Sequence, residues 1–424
     1  MFINHDLLMI FKFGVGSMTD SENTNKAVNR NEFLITQLLK FLDSLPKVLP
    51  QIRDLQKDLK NLHSALQGMR PPRVMVIGRC KSGKSSLINA ICGLKVAEVS
   101  DIKPETGMAE WKEYYHNGSD LIRILDTRGL QESEAPRQSD SAKNPYESII
   151  EAVKKECPDI ILFLCKATEV YSASNEDLNK CELIIIEINK MYQSDLPIIG
   201  VLTKCDELSP PREPLPTDNE RKKRNVQEQV TNFSVFLNQR QGLKPYVKEV
   251  IPTVAYAEYE DGKNGLILPD QDYRWNITEL VETMIKHTPK ERHASFSRMT
   301  RQFKGIQLQN ARTVVTACTA LSGFVSANPI PGAAILVVAA IQTFMVMYIG
   351  WLSGREFSEQ TVKDFLLTGG VGVGANAGMI SFADIALKFI PGWGSLLAAS
   401  AGVIATQGLG DTAIAYFLNN GKSD

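Results

Sequence analysis

The sequence predicts an α/β domain with a mainly parallel sheet and helices on both faces, together with an all-α helical domain. Three observations carry that expectation. Short apolar runs alternate with helical patterns from Arg73 to about Lys290, and such alternation builds a parallel sheet with crossover helices. Gly78-Arg-Cys-Lys-Ser-Gly83-Lys84-Ser85 lies between an apolar run and a helix pattern, the setting of a phosphate-binding P-loop. Further on, Thr313 to Gly354 contains no charged residue. A helix apolar on every face is buried in a large core or lies in lipid.

Composition narrows the functional classes. A chain of 424 residues exceeds one compact domain. Its net charge of −1 supplies no global field to draw nucleic acid or a membrane. Seven cysteines form no C-x-x-C pair and mostly sit in apolar runs, which reads as buried thiols in a reducing compartment. Five histidines build no metal-ligand spacing. Residues 1–18 are apolar but lack a basic flank, carry Asp6 and show no small-residue cleavage pattern. They are not expected to be a signal peptide, so a secreted protein is not expected. They are expected to be disordered or to precede a start at Met18.

Residues 19–70 are expected to form N-terminal helices that pack on the C-terminal module. Ile52, Leu55, Leu59, Leu62, Leu66 and Met69 alternate spacings of 3 and 4, a coiled-coil-like seam. Pro46 and Pro50 interrupt the segment ahead of it. Arg70-Pro71-Pro72 ends the helix. Residues 71–290 are the α/β domain. Strands are predicted at Val74–Ile77, Trp111–Tyr115, Leu121–Leu125, Ile160–Leu164, Ile198–Leu202 and Glu249–Val254. Helices are predicted at Lys84–Cys92, Tyr146–Lys155, Asn175–Met191, Glu220–Gln239 and Ile277–Ile285. Ligands of such sheets bind at the carboxyl ends of strands.

The informative motifs fall at those ends. In the P-loop, glycines let the backbone amides of Gly78, Arg79, Cys80, Lys81, Ser82, Gly83, Lys84, Ser85 and Ser86 converge on phosphate oxygens, aided by the helix dipole. Lys84 reaches the β- and γ-phosphates, and Ser85 ligates Mg²⁺. Asp126-Thr-Arg-Gly129 closes the strand Leu121–Leu125. There it offers an acidic group near Mg²⁺, acting through water, and a glycine N–H for the γ-phosphate. Thr203-Lys204-Cys205-Asp206 follows the strand Ile198–Leu202.

With that last motif the chain resembles the GTPases, whose base-recognition sequence is [NT]-K-x-D. The resemblance implies that Asp206 accepts from guanine N1–H and the exocyclic amine, while the Lys204 stem covers the ring. Adenine lacks those donors, and a site built for them rejects it. GTP or GDP with Mg²⁺ is therefore the expected cofactor set. By the same resemblance Thr106 supplies the first switch and a Mg²⁺ ligand, and Thr253-Val-Ala255-Tyr256 is a weak match to the loop beneath the base. Small signalling GTPases place a water-orienting glutamine after D-x-x-G. Leu130 stands there instead, so turnover is expected to be slow without a partner. Potassium-dependent Era-like GTPases carry asparagine at the position of Lys81, and guanylate-binding proteins carry a catalytic arginine. Lys81 is thus a candidate to lay a cation across the phosphates. Its plain alternative is a solvated loop lysine.

Within the α/β domain, Glu220-Arg-Lys-Lys-Arg224 begins a helix and reads as a solvated face with no interleaved aromatic residues. Single-stranded nucleic acid is not indicated, and no DNA partner is expected. Residues 291–424 are different material. A basic approach segment (Lys286 to Lys304) precedes Pro331 to Leu352, a run long enough to cross a bilayer. Ile330-Pro-Gly332 and Ile390-Pro-Gly392 each open an Ala-rich helix pattern, a weak internal repeat. Two uses fit. Residues 313–410 enter or bind membrane lipid, which the basic flank favours. Alternatively, small residues such as those of Gly369 to Gly378 let a soluble bundle pack closely.

Residues 73–290 look like an Era-like GTPase domain of the HSR1-related branch. The C-terminal part resembles an apolar helical domain of uncharacterised function attached to such bacterial GTPases. The order helix, G domain, helical domain is more distantly similar to the immunity-related GTPases of the dynamin superfamily. The resemblance implies a cytoplasmic GTP-hydrolysing switch, held at the cytosolic face of a membrane or self-associating through its G domains. A ribosome- or RNA-associated assembly GTPase is disfavoured by the near-neutral charge and apolar C-terminal domain. Leu130 also leaves room for a GTP-binding scaffold with negligible turnover.

Overall fold

The computed structural model of the chain describes residues 60, 63, 69–79, 81–97, 109–116, 119–127, 145–172, 175–192, 195–211, 213–262, 264–299, 304–327, 334–365 and 402–419. Most of the Ile52–Met69 seam, both Ile-Pro-Gly segments, Cys80, Thr106, Gly129 and Leu130 lie outside the described residues. The chain divides into two compact units. One comprises Pro71–His116 and Asp120–Gln302, the other Met1–Arg70, Asn117–Ser119 and Phe303–Asp424.

The first unit holds a six-stranded sheet. Its strands are β1 (Arg73–Gly78), β2 (Glu110–His116), β3 (Ser119–Thr127), β4 (Ile160–Lys166), β5 (Ile198–Thr203) and β6 (Val247–Pro252), in the order β2-β3-β1-β4-β5-β6. The pairs β1·β3, β1·β4, β4·β5 and β5·β6 are parallel. Strands β4 and β5 are buried along nearly every residue. Cover on both faces explains why they read as continuous apolar runs rather than alternating ones. At β1 the strand order reverses, with β3 on one side and β4 on the other. Such a switch point opens a crevice at the carboxyl edge. Gly78 pairs with Leu164 and Lys166 with Thr203, so the ends of β1, β4 and β5 share that edge.

The helices are α1 (Lys84–Cys92), α2 (Pro145–Lys155), α3 (Asn175–Tyr192), α4 (Glu220–Asn238), α5 (Ile277–His287) and α6 (His293–Met299). The Asn219 side chain caps α4 by accepting from the amides of Arg221 and Lys222. Helix α4 presses Phe233 and Leu237 onto β5 at Gly200, where a Cβ would lie 2.9 Å from the Leu237 and Val250 methyl groups. A hairpin, β7 (Ala257–Tyr259) with β8 (Ile267–Asp272), was not legible in the sequence, because β8 is mostly exposed and polar. It grips the chain leaving α1: Lys95 N donates to Gly265 O (3.0 Å) and Asn264 N to Lys95 O (3.1 Å).

The second unit is helical. Its described elements are α7 (Lys304–Ala327), α8 (Ala334–Leu352), the short α9 (Glu359–Asp364) and α10 (Gly402–Ile414), which runs into a π-helical turn at Ala415–Asn419. Of the run Pro331 to Leu352, which fits either lipid or a soluble bundle, the structure describes Ala334–Leu352. Among the described residues no helix is long and apolar enough to cross a membrane. Residues Phe344 to Leu352 of α8 are buried among protein side chains. Gln342, a polar intruder in an apolar run, donates to Thr406 Oγ1 of α10 across 2.9 Å. At Gly410 a Cβ would lie 2.6 Å from the Val315 methyl groups, so α10 meets α7 at a glycine.

Candidate functional site

The crevice begins where β1 runs out. Gly78 packs against Ser82 and Leu164, and a Cβ there would lie 2.8 Å from Ser82 Oγ and 2.9 Å from Leu164 Cβ. The loop then reverses through two left-handed residues, Lys81 (φ 63°) and Gly83 (φ 87°). Gly83 can hold that conformation without strain, while Lys81 is a non-glycine residue held there by the loop. Helical hydrogen bonding starts at Leu87 N to Gly83 O (2.9 Å). The amides ahead of it, Lys84 to Ser86, have no acceptor within the helix. Lys84 folds back, its Nζ donating to Gly78 O (3.1 Å) and Arg79 O (3.0 Å).

Ser82 tests whether the loop fits a phosphate. It is buried, and its hydroxyl has no hydrogen-bond partner among the described residues. A buried orphan hydroxyl is costly unless a ligand or water satisfies it. An anion held in the curl of amides with the Lys84 ammonium would do so. The residues present therefore fit the phosphates of a nucleotide.

A second loop is tied to the first. Thr203, at the end of β5, is buried, and its Oγ1 donates to Ser82 O across 2.7 Å. Cys165 O lies 3.4 Å from the same hydroxyl. The side chain thus joins the β5 loop to the P-loop over 121 residues of sequence. Lys204 follows in left-handed geometry (φ 56°, ψ 42°), and its Nζ lies 3.6 Å from Glu207 Oε1. Glu207 also pairs with Lys166 at 2.8 Å, a hydrogen bond that holds the Lys166 ammonium above the usual lysine range. Cys205 is buried, and desolvation pushes its thiol up to about 12. It is a packing residue, not a nucleophile. Asp206 is half-buried.

The loop after β6 closes the floor. Thr253 N donates to Leu202 O (2.7 Å), Thr253 Oγ1 to the same oxygen (3.0 Å), and Cys205 N to Thr253 O (3.2 Å). Ala255 lies two residues on, half-buried. Asp126 lies opposite Val76, one residue before the end of β3. The described P-loop residues, Thr203 to Asp206 and Thr253 to Ala255 therefore meet along one edge of the sheet.

Two residues of this region were missed in the sequence. Asn89 of α1 is buried and clasps the next turn of chain. Its Nδ2 donates to Ala97 O (2.8 Å), and its Oδ1 accepts from Val96 N (3.0 Å) and Ala97 N (2.7 Å). Lys222 was read as part of a solvated face, and this needs correction. It has no exposed surface, and its Nζ donates to the carbonyls of Asp206, Leu208 and Pro210. Burial holds its ammonium below the usual lysine range. No signal in the sequence pointed to Lys222, because its partners are backbone carbonyls brought to it by the fold.

A P-loop at β1, an acidic strand end at β3 and a Thr-Lys-x-Asp loop at β5 define a G domain. Residues 73–204 match the family described as 50S ribosome-binding GTPase. The chain is similar to tRNA modification GTPase MnmE of Mycoplasma genitalium, 33% identical over 120 residues that cover 28% of this chain and 24% of the relative. It is also similar to GTPase Era of Aquifex aeolicus, 27% identical over 228 residues, 52% of this chain and 58% of Era. The chain thus spans between 24% and 58% of the length of these relatives. Among solved structures, the LeoA bacterial dynamin GTPase from ETEC superposes over 94% of this chain and 88% of its own, at 11% identity and a TM-score of 0.38.

Proposed function

We propose that the protein binds GTP with Mg²⁺ and hydrolyses it to GDP and phosphate, as a nucleotide switch coupled to its helical unit. The observation that carries this reading is the buried bond from Thr203 to the Ser82 carbonyl, which fixes the base-reading loop against the phosphate loop. Lys84, the amides from Gly78 to Ser86 and the Ser82 hydroxyl hold the phosphates. Ser85 and Thr106 would ligate Mg²⁺, with Asp126 acting through water, and Mg²⁺ would neutralise charge on the transferred group. Gly129 offers its N–H to the γ-phosphate, Asp206 and Lys204 select guanine, and Ala255 lies beneath the base.

Leu130 carries no group able to orient water, so the isolated domain turns over slowly. Lys81, exposed on its left-handed backbone, is the cation that a second G domain would press across the phosphates. On this reading the helical unit responds by self-association or by contact with lipid at the cytosolic face of a membrane. The test is phosphate release from GTP and from ATP by the full chain across protein concentrations. GTP-only turnover whose rate per molecule rises with concentration supports the proposal. Equal use of ATP, or no turnover at any concentration, overturns it.

A second reading rests on the family description, which names ribosome-binding GTPases. A net charge of −1 supplies no global field to draw RNA. Cosedimentation with ribosomal particles under GTP, without vesicle binding, would favour it.

A further inference from the structure

We propose that Lys222 is a specificity-positioning residue that holds the Asp206 loop in its guanine-reading shape; this rests on the guanine reading above. A lysine ammonium carries three donors. All of those at Lys222 are spent on one short stretch of chain: Asp206 O at 2.7 Å, Leu208 O at 2.5 Å and Pro210 O at 3.2 Å. The first acceptor belongs to the residue whose carboxylate would read the base. The loop is therefore pinned from inside through its own backbone, and the Asp206 side chain is left for a ligand.

The arrangement is costly, which argues against an incidental contact. The Lys222 side chain is fully buried, and desolvation works against its charged form. It also sits in the first turn of α4, where the helix dipole disfavours a cation. A methionine would fill the same space without either cost, so what the ammonium adds is the three-carbonyl clamp. Asn225, one turn along α4, adds a weaker tether by donating Nδ2 to Ser209 O (2.7 Å). Together α4 and Lys204, with its left-handed backbone, shape the loop from both ends. No other described side chain bonds the Asp206 carbonyl.

The prediction concerns selectivity more than affinity. The phosphate-binding groups lie on a different loop, so loosening Asp206 should weaken guanine recognition and spare what adenine nucleotides gain from the P-loop. The experiment measures GDP and ADP affinity by fluorescent-nucleotide titration on the full chain, for the parent, Lys222→Met and Asn225→Ala. The expected result is a fall in the GDP-over-ADP preference of about tenfold in Lys222→Met and about twofold in Asn225→Ala, with ADP affinity unchanged. Lys222→Arg, which keeps charge and donors, should recover part of the preference. A preference held at the parent value, or GDP and ADP affinities falling in step, overturns the assignment, because a merely structural residue would do one or the other. Should Lys222→Met fail to fold, the exposed-side Asn225→Ala decides on the same criterion. A parent protein with no preference for GDP over ADP would instead refute the guanine reading on which this rests.

Discussion

Thr203→Val tests the joint between the two loops of the site. Valine keeps the shape of threonine and removes only the hydroxyl. The substitution deletes a 2.7 Å bond to the Ser82 carbonyl and a 3.4 Å approach to the Cys165 carbonyl, both in a buried setting. The first is the substantive loss, since the second is too long to contribute much. It also leaves the Ser82 carbonyl facing a methyl group. A buried acceptor left unsatisfied costs about 1–3 kcal/mol. For a domain of this size that corresponds to a fall in melting temperature of about 2–12 °C. If the joint tightens when nucleotide is bound, about 2 kcal/mol of the loss would appear in binding, roughly a thirty-fold weaker GDP affinity. Thr203→Ser, which keeps the hydroxyl, should stay near the parent. The assays are thermal melting and GDP titration of the three proteins. Melting and affinity unchanged in Thr203→Val would refute the claim that this bond couples the loops.

Other perturbations read other parts of the molecule. Asn89→Ala removes the clasp on Val96 and Ala97; Val96 N keeps its bond to Leu94 O, but the Ala97 amide and carbonyl lose their Asn89 partner, and urea denaturation should show a loss of about 1–3 kcal/mol. Gln342→Leu should destabilise the helical unit by about 1–3 kcal/mol by orphaning Thr406, while Gln342→Leu with Thr406→Val should recover most of it in a double-mutant cycle. Gly410→Ala forces a methyl group into Val315 and should cost about 1–3 kcal/mol, read by the same denaturation curve. Glu249 is held below the usual carboxylate range by hydrogen bonds from Lys286 and then His287. A depressed carboxyl stabilises the fold above its unfolded value and loses that contribution as pH falls through the folded value. Melting temperature should therefore drop on acidification below about pH 4.5, and Glu249→Gln should flatten that limb.

The α/β unit was largely legible because its signals are local. Two-sided burial writes strands β1, β4 and β5 as apolar runs, and the glycines of the P-loop mark its turn. Three features were not legible, each for a physical reason. The β7–β8 hairpin has turn signals at Asp261-Gly262 and Asn264-Gly265, but its flanks, a three-residue strand and the mostly polar, proline-containing Ile267–Asp272, are too short and polar to read as strands. Lys222 sits among Glu220, Arg221, Lys223 and Arg224, and a charged cluster gives no hint that one of its members points inward. Helix α8 is apolar all round, and a bundle core and a lipid-facing segment share that pattern. Only its placement, with Gln342 satisfied by Thr406, separates the two.

The central claim is that the Asp206 loop reads guanine while the P-loop holds the phosphates. The most direct test exchanges the base. Asp206→Asn replaces an acceptor for the guanine amine with an amide that can donate to the carbonyl xanthine carries at the same place. The variant should lose GTP binding by about a hundredfold, gain XTP by a comparable factor, and hydrolyse XTP at the rate at which the parent hydrolyses GTP. Asp206→Asn binding GTP as tightly as the parent, with no gain for XTP, would contradict the account.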